Sequence, residues 1–194
     1  MRLYKAAKGL FYLYMHTIYD IEYIGRGNLP KDGAAIICAN HRKVSDPLVL
    51  GGILERPIHF MAKKEIFDNK FFAWVLRGIG AFPVNREAVE MASFKHALGV
   101  LKNGEVMGIF SQATRKEEFD ENEGKAGVAL FAVKSGAPVV PVGISGSFKW
   151  FSKMTINMGE PIDFSEYKGK KLRTPELEEL TKEIMGKVKQ LVND

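Results

Sequence analysis

The sequence predicts an α/β fold, a mixed and largely parallel sheet flanked by helices on both faces. Three observations lead there. Short runs rich in Val, Ile and Phe alternate along the chain with longer stretches of helical periodicity, as in strand–helix–strand units. The run at 34–39 is apolar throughout, as a strand covered on both faces is, and 106–110 and 139–144 also read as strands. No repeat, low-complexity tract or Pro/Ser-rich linker divides the 194 residues, so a single domain over 1–194 with one sizeable core is expected.

Taken in order, 21–24 reads as a short strand ending at Gly25, and a turn through Asn28, Pro30 and Gly33 leads into strand 34–39. A helix over 47–54 follows, with Asp46 expected as its N-cap and Pro47 as its first residue. A carboxylate there can accept from orphan helix N–H groups, and proline has no N–H to lose. Strand 58–62, helix 71–77 and strand 81–84 come next, with Gly78 and Gly80 between the last two. Residues 89–102 carry apolar side chains at helical spacing and stop at Asn103-Gly104, a C-terminal signal. Strand 106–110, helix 127–134 ended by Ser135-Gly136, and strand 139–144 complete the centre. Residues 155–158 are expected as an edge strand. The last helix begins at Thr174-Pro175 and places Leu177, Leu180, Ile184, Val188 and Leu191 on one core-facing seam.

Apolar residues make up 46% of the chain and charged ones 26%, which predicts a folded protein rather than a disordered one. The formal net charge of +5 points to an anionic partner: nucleic acid, a phosphorylated substrate or anionic lipid. The cations are dispersed among 23 acidic residues without a basic, aromatic-interleaved stripe, which argues against nucleic acid. A single cysteine, Cys38, excludes an internal disulfide and a Cys-based zinc cluster, and it suits a reducing compartment. His16, His59 and His96 lack metal-ligand spacing, so no metal is expected. There is no Walker A loop and no Rossmann glycine fingerprint. Gly143-Ile-Ser-Gly-Ser147 lacks the final glycine of a nucleophile elbow, and no strand-to-helix signal surrounds Ser145.

The N-terminal run from Leu10 to Tyr19 is apolar and aromatic, preceded by Arg2, Lys5 and Lys8. His16 interrupts it, Asp20 and Glu22 close it, and no small-residue cleavage site follows, unlike a signal peptide. It is also short of the roughly 20 apolar residues that span a bilayer. Residues 1–19 are therefore expected to form a helix lying in the membrane interface, on a peripheral protein at the cytoplasmic face of the cell membrane. The alternative is a terminal helix packed on the core.

His41 leaves a buried strand and precedes a helix, at the sheet edge where α/β proteins gather ligands. A histidine there can take a proton from an attacking hydroxyl, and Asp46 can accept from its other ring nitrogen. Equally, Asp46 can simply cap its helix beside an ordinary loop histidine. Position alone does not separate the two readings.

Four segments bear on the choice: Asn40-His-Arg-Lys-Val-Ser-Asp-Pro47, of the form H-x4-D; Gly80-Ala-Phe-Pro-Val-Asn-Arg86; Gly108-Ile-Phe-Ser-Gln-Ala-Thr-Arg115; and Val139-Val-Pro-Val-Gly143. In order and spacing, over roughly residues 20 to 160, they resemble the blocks of the 1-acyl-sn-glycerol-3-phosphate acyltransferase family. The resemblance implies a glycerolipid acyltransferase-like fold, with His41 as general base and Asp46 as its partner. It further implies that Arg86, Thr114 and Arg115 bind a glycerol-phosphate acceptor and that Pro141 shapes the wall of the acyl site. The arginines also have a physical case. A phosphomonoester is a dianion, which planar guanidinium groups hold by paired charged hydrogen bonds. Lys125, between Gly124 and Gly127, is a further candidate for the phosphate.

The expected reaction moves a fatty acyl group from acyl-CoA or acyl-carrier protein, as donor substrate, to the free hydroxyl of lysophosphatidic acid, giving phosphatidic acid for phospholipid synthesis. No cofactor is expected. Attack should be direct, since no activated Ser or Cys lies in the matched blocks and Cys38 lies in a buried strand. One block departs from the family's usual Phe-Pro-Glu-Gly-Thr-Arg: here it is Phe110-Ser-Gln-Ala-Thr-Arg115. Gln112 keeps a carbonyl acceptor but not the charge, and Ala113 stands where glycine would tolerate positive φ. The departure leaves room for another lysophospholipid or a lipid alcohol as acceptor, or for a lipid-binding homologue that has lost turnover.

Overall fold

The computed structural model describes residues 9, 12–13, 15–43, 45–85, 91–110, 127–147 and 150–193. Its strands are β1 (Asp20–Ile24), β2 (Ala35–Ala39), β3 (Ile58–Lys63), β4 (Phe82–Val84), β5 (Val106–Phe110), β6 (Val139–Gly146) and β7 (Lys153–Met158). Its helices are α1 (Asp46–Ile53), α2 (Lys70–Gly78), α3 (Met91–Lys102), α4 (Gly127–Ser135) and α5 (Thr174–Asn193). The strands form one sheet in the order β1-β7-β6-β2-β5-β3-β4. From β6 to β4 all neighbours run parallel, as helical crossovers require; β7 returns antiparallel to β6, and β1 adds parallel to β7. This is the mixed, largely parallel sheet expected from the sequence.

The alternation of β2 shows why both faces are covered. Ala35, Ile37 and Ala39 pack with Val49, Leu50 and Ile53 of α1, whereas Ile36 and Cys38 pack with Ala97, Val128, Ala132 and Ile184 of α3, α4 and α5. Every residue of β2 is buried, which explains its uninterrupted apolar run. Cys38 lies in the middle of it, and burial pushes its thiol up to about 12, so the thiolate needed of a nucleophile is strongly disfavoured.

Several boundaries move by a residue or two, as helix and strand ends commonly do. β3 extends to Lys63 and β6 to Gly146, and α2 spans Lys70–Gly78. The helix expected over 89–102 is described from Met91 onward; residues 89 and 90 lie outside the described residues. Two differences are substantive. Residues 155–158 do not form an edge strand: β7 lies between β6 and β1, because β1 pairs along its whole length, Asp20 with Lys153 through Ile24 with Asn157. Asp46 is not the N-cap of α1 either. That position is Ser45, which makes no side-chain cap, and Asp46 is the first helical residue.

At the N-terminus, residues 15–18 are helical, and Met15 is buried in the core cluster on the α1 side of the sheet. The Tyr23 hydroxyl and His16 Nε2 are 3.0 Å apart, while Leu13 faces outward. Part of this segment thus packs on the core and part is exposed; residues 1–8 lie outside the described residues. Among the described residues no helix is long and apolar enough to cross a membrane.

Helix α5 lies close against β6. A Cβ on Gly143 would sit 2.4 Å from the backbone of Leu191, a contact that no rotamer change relieves. Replacing Gly143 by Ala should therefore destabilise the protein by about 1–3 kcal/mol, the usual cost of overpacking, measured as a lower urea midpoint at unchanged m-value.

Candidate active site

The site begins where β2 ends. The last backbone pair between β2 and β6 is Ala39 with Val142, and Asn40 extends that ladder with its side chain. Its Oδ1 accepts from the Ile144 N–H at 2.7 Å and its Nδ2 donates to the Ile144 carbonyl at 2.9 Å. Asn40 is buried, and these two bonds satisfy an amide that would otherwise be costly to bury. They hold the chain in place one residue before His41. Sequence reasoning overlooked Asn40; the available signal was a polar amide at the end of a wholly apolar strand.

His41 is buried at the carboxyl end of this central strand. Its ring stacks on Phe110, with centroids 4.2 Å apart and planes 25° from parallel, and Phe110 in turn stacks on Phe60. Nδ1 lies 2.9 Å from Asp46 Oδ2. The same oxygen accepts from the backbone N–H groups of Arg42 at 2.7 Å and Lys43 at 2.8 Å. Asp46 is fully buried, and its other oxygen, Oδ1, has no donor among the described residues. The carboxylate thus bonds back to the loop and the imidazole, and makes no cap to α1. Of the two sequence readings, the geometry matches the histidine–aspartate pair.

The pair sets a tautomer. An ionised carboxylate only accepts, so Nδ1 carries the proton and Nε2 holds the lone pair, without a partner among the described residues. A base oriented in this way can receive a proton from a hydroxyl at Nε2, while the buried carboxylate stabilises the imidazolium that results. The loop is secured at its flank by Arg42, whose Nη1 donates to the Gly146 carbonyl at the end of β6, 2.7 Å away.

The remaining sequence candidates divide into two groups. Arg86, Gln112, Thr114, Arg115 and Lys125 lie outside the described residues. The strands that lead to them, β4 ending at Val84 and β5 ending at Phe110, run parallel to β2 and finish at the His41 edge. Pro141 is described and lies apart from His41. It sits inside β6 level with Cys38, and its ring is close to Gly159 on the side carrying α5, whereas His41 packs with Phe110 on the α1 side. A groove of about 700 Å³ between the β3–β4 edge and α3, lined by His59, Arg77, Phe82 and His96, contains neither His41 nor Asp46.

Comparison with known proteins agrees with this architecture. The family model described as Acyltransferase matches residues 20–145. The 1-acyl-sn-glycerol-3-phosphate acyltransferase of Bacillus subtilis is 36% identical over 184 residues, covering 88% of this chain and 91% of its own. The protein of the same name from Streptococcus pneumoniae is 30% identical, covering 85% of this chain and 64% of its own. The crystal structure of the 1-acyl-sn-glycerophosphate (LPA) acyltransferase PlsC from Thermotoga maritima superposes with a TM-score of 0.71 at 25% identity, over 98% of this chain and 78% of that one.

The tautomer can be read directly. In long-range ¹H–¹⁵N spectra, His41 should show a protonated Nδ1 and an unprotonated Nε2 at a pH where the ring is neutral. In Asp46→Ala that preference should be lost; retention of the same tautomer would mean that Asp46 does not set it.

Proposed function

This chain belongs to the acyltransferase family, and from that premise we propose that it moves a fatty acyl group from an acyl thioester to the free hydroxyl of lysophosphatidic acid. The observation that carries the reading is the His41–Asp46 contact at the carboxyl end of β2. His41 Nε2 takes the hydroxyl proton as the oxygen attacks the thioester carbonyl. The tetrahedral intermediate collapses with cleavage of the carbon–sulfur bond, and the imidazolium returns the proton to the departing thiolate. Products are the new ester and a free thiol. Backbone N–H groups would serve the developing oxyanion. No acyl-enzyme is required, in keeping with the buried Cys38 and with Ser145 lying within β6.

The acceptor's phosphate is assigned to Arg86, Thr114 and Arg115, with Lys125 and Gln112 beside them. This rests on the sequence blocks and on the direction of the strands that precede them. Acyl-CoA or acyl-carrier protein supplies the thioester. The protein works as a peripheral component at the cytoplasmic face of the membrane, where a lysolipid substrate resides. The altered Ser111-Gln112-Ala113 favours one second reading, an acceptor other than lysophosphatidic acid.

Incubation with lysophosphatidic acid and an acyl thioester, followed by product identification, tests the reaction. His41→Ala should lower acyl transfer by roughly 10²–10⁴-fold, the usual contribution of a general base, with an unchanged circular dichroism spectrum. Unchanged turnover would remove His41 from the mechanism. Absence of transfer in the unsubstituted protein would favour a lipid-binding role.

The phosphate assignment is tested separately. Monoacylglycerol, which lacks the phosphate, should be a much poorer acceptor, and equal rates for the two would rule out the arginine clamp. Gln112→Glu should raise activity on lysophosphatidic acid if the natural Gln weakens binding of that acceptor.

A further inference from the structure

Among the described residues the most exposed aromatic side chains are Phe151 (79%), Trp150 (75%), Phe71 (66%), Trp74 (60%) and Phe72 (54%). They form two groups, and both follow strands that end at the His41 edge of the sheet. Trp150 and Phe151 lie in the turn after β6; Phe71, Phe72 and Trp74 lie in α2, which follows β3 through a short 3₁₀ turn, Lys64–Asp68. In the sheet order β6-β2-β5-β3, the His41 loop falls between the two groups.

Both groups remain largely exposed, although Phe71 and Phe72 meet edge to face with ring centroids 5.8 Å apart. In α2 only Ala73 of nine residues is buried, although the helix is largely apolar. Phe151 is the only non-glycine residue with positive φ among the described residues, at φ 59. That conformation is costly for a bulky side chain, and here it is maintained while the ring remains in solvent. The turn is held by backbone bonds, Phe151 N–H to the Ile18 carbonyl at 2.7 Å and Asp20 N–H to the Ser152 carbonyl at 3.2 Å.

We propose that these two aromatic groups are the points at which the protein enters the interface of an anionic bilayer, one on each side of the His41 loop. The inference rests on the lipid-directed reaction proposed above. The composition suits lipid: Trp and Phe flanked by basic residues is the chemistry of membrane interfaces. Residues 147–153 contain two lysines, of which Lys153 pairs with Glu22 of β1 at 2.9 Å; residues 63–77 contain Lys63, paired with Glu65 at 3.2 Å, and also Lys64, Lys70 and Arg77 against Asp68. Two separated contacts fix an orientation as well as an attachment. With both groups seated, the carboxyl end of β2 faces the membrane, and a lysolipid reaches the His41 loop without crossing water.

The chain's two tryptophans report the two groups separately, since Trp74 belongs to one and Trp150 to the other. The full chain is prepared as Trp150→Phe, leaving Trp74, and as Trp74→Phe, leaving Trp150. Each is titrated with vesicles of phosphatidylglycerol and phosphatidylcholine in equal parts, without lysolipid or thioester. Emission from both forms should shift to the blue and be quenched by lipids brominated on their acyl chains. The paired substitutions Trp150→Ser/Phe151→Ser and Phe71→Ser/Phe72→Ser should each weaken vesicle binding roughly tenfold or more, from the apolar area withheld from lipid.

No shift in either tryptophan, or a shift in only one, overturns the two-point contact. Shifts induced by acyl-carrier protein but not by vesicles also overturn it, and would assign the surface to a protein donor. His41→Ala should give the same vesicle response as the unsubstituted protein. Failure of the proposed reaction and failure of the membrane contact are therefore distinguished.

Discussion

One carboxylate oxygen, Asp46 Oδ2, holds the His41 loop in shape by accepting three hydrogen bonds, from the imidazole and from the N–H groups of Arg42 and Lys43. Hydrogen bonds to a charged acceptor contribute about 1.5–3 kcal/mol each, against a desolvation cost of several kcal/mol for a buried ion. The two effects are of similar size, so the arrangement is better understood as fixing geometry than as adding stability. It selects one tautomer, turns Nε2 away from the carboxylate and stacks the ring on Phe110. Asn40 secures the other end of the loop by joining β2 to Ile144. Between these anchors the histidine has little freedom, and little reorganisation is needed for a proton transfer.

The parallel sheet supplies the surroundings. Each crossover returns the chain through a helix, so the loops that follow β2, β3, β4, β5 and β6 all gather at one end. Phe110 reaches His41 because β5 pairs with β2 in a register that sets Phe110 opposite Ala39. The same geometry carries the chain toward Arg86 and Arg115 from strands ending at that edge. It also sets the outward-facing rings of Trp150, Phe151, Phe71, Phe72 and Trp74 at that end. Reaction chemistry and membrane contact would then share one direction, as suits a lipid substrate.

Much of this was legible in the sequence because its signals are local. A continuous apolar run marked β2, short strand-like runs marked β5 and β6, and helical periodicity ending at Asn103-Gly104 marked α3. The four blocks indicated the family correctly. Position alone left Asp46 open, since an acidic residue before Pro47 suits a helix cap as well as a histidine partner; the resemblance favoured the partner, and the direction of the carboxylate agrees with that contact. The face on which Pro141 lies was not legible either, since it follows from the pairing of β6 with β2, which sets Pro141 level with Cys38 and its ring beside Gly159. The status of β7 was equally hidden, because edge or interior depends on whether a distant strand, β1, pairs with it.

By itself, then, the sequence determined the layered α/β architecture, the position of His41 after a buried strand, and the residue types available for acyl transfer. These follow from periodicity and spacing, which each segment carries alone. Tertiary structure decided which groups meet: the threefold acceptance at Asp46, the Asn40 clamp, the stack on Phe110, and the two exposed aromatic groups flanking the site. Such contacts join residues up to 104 positions apart, as Asn40 and Ile144 are, and their geometry exists only once the sheet order is set.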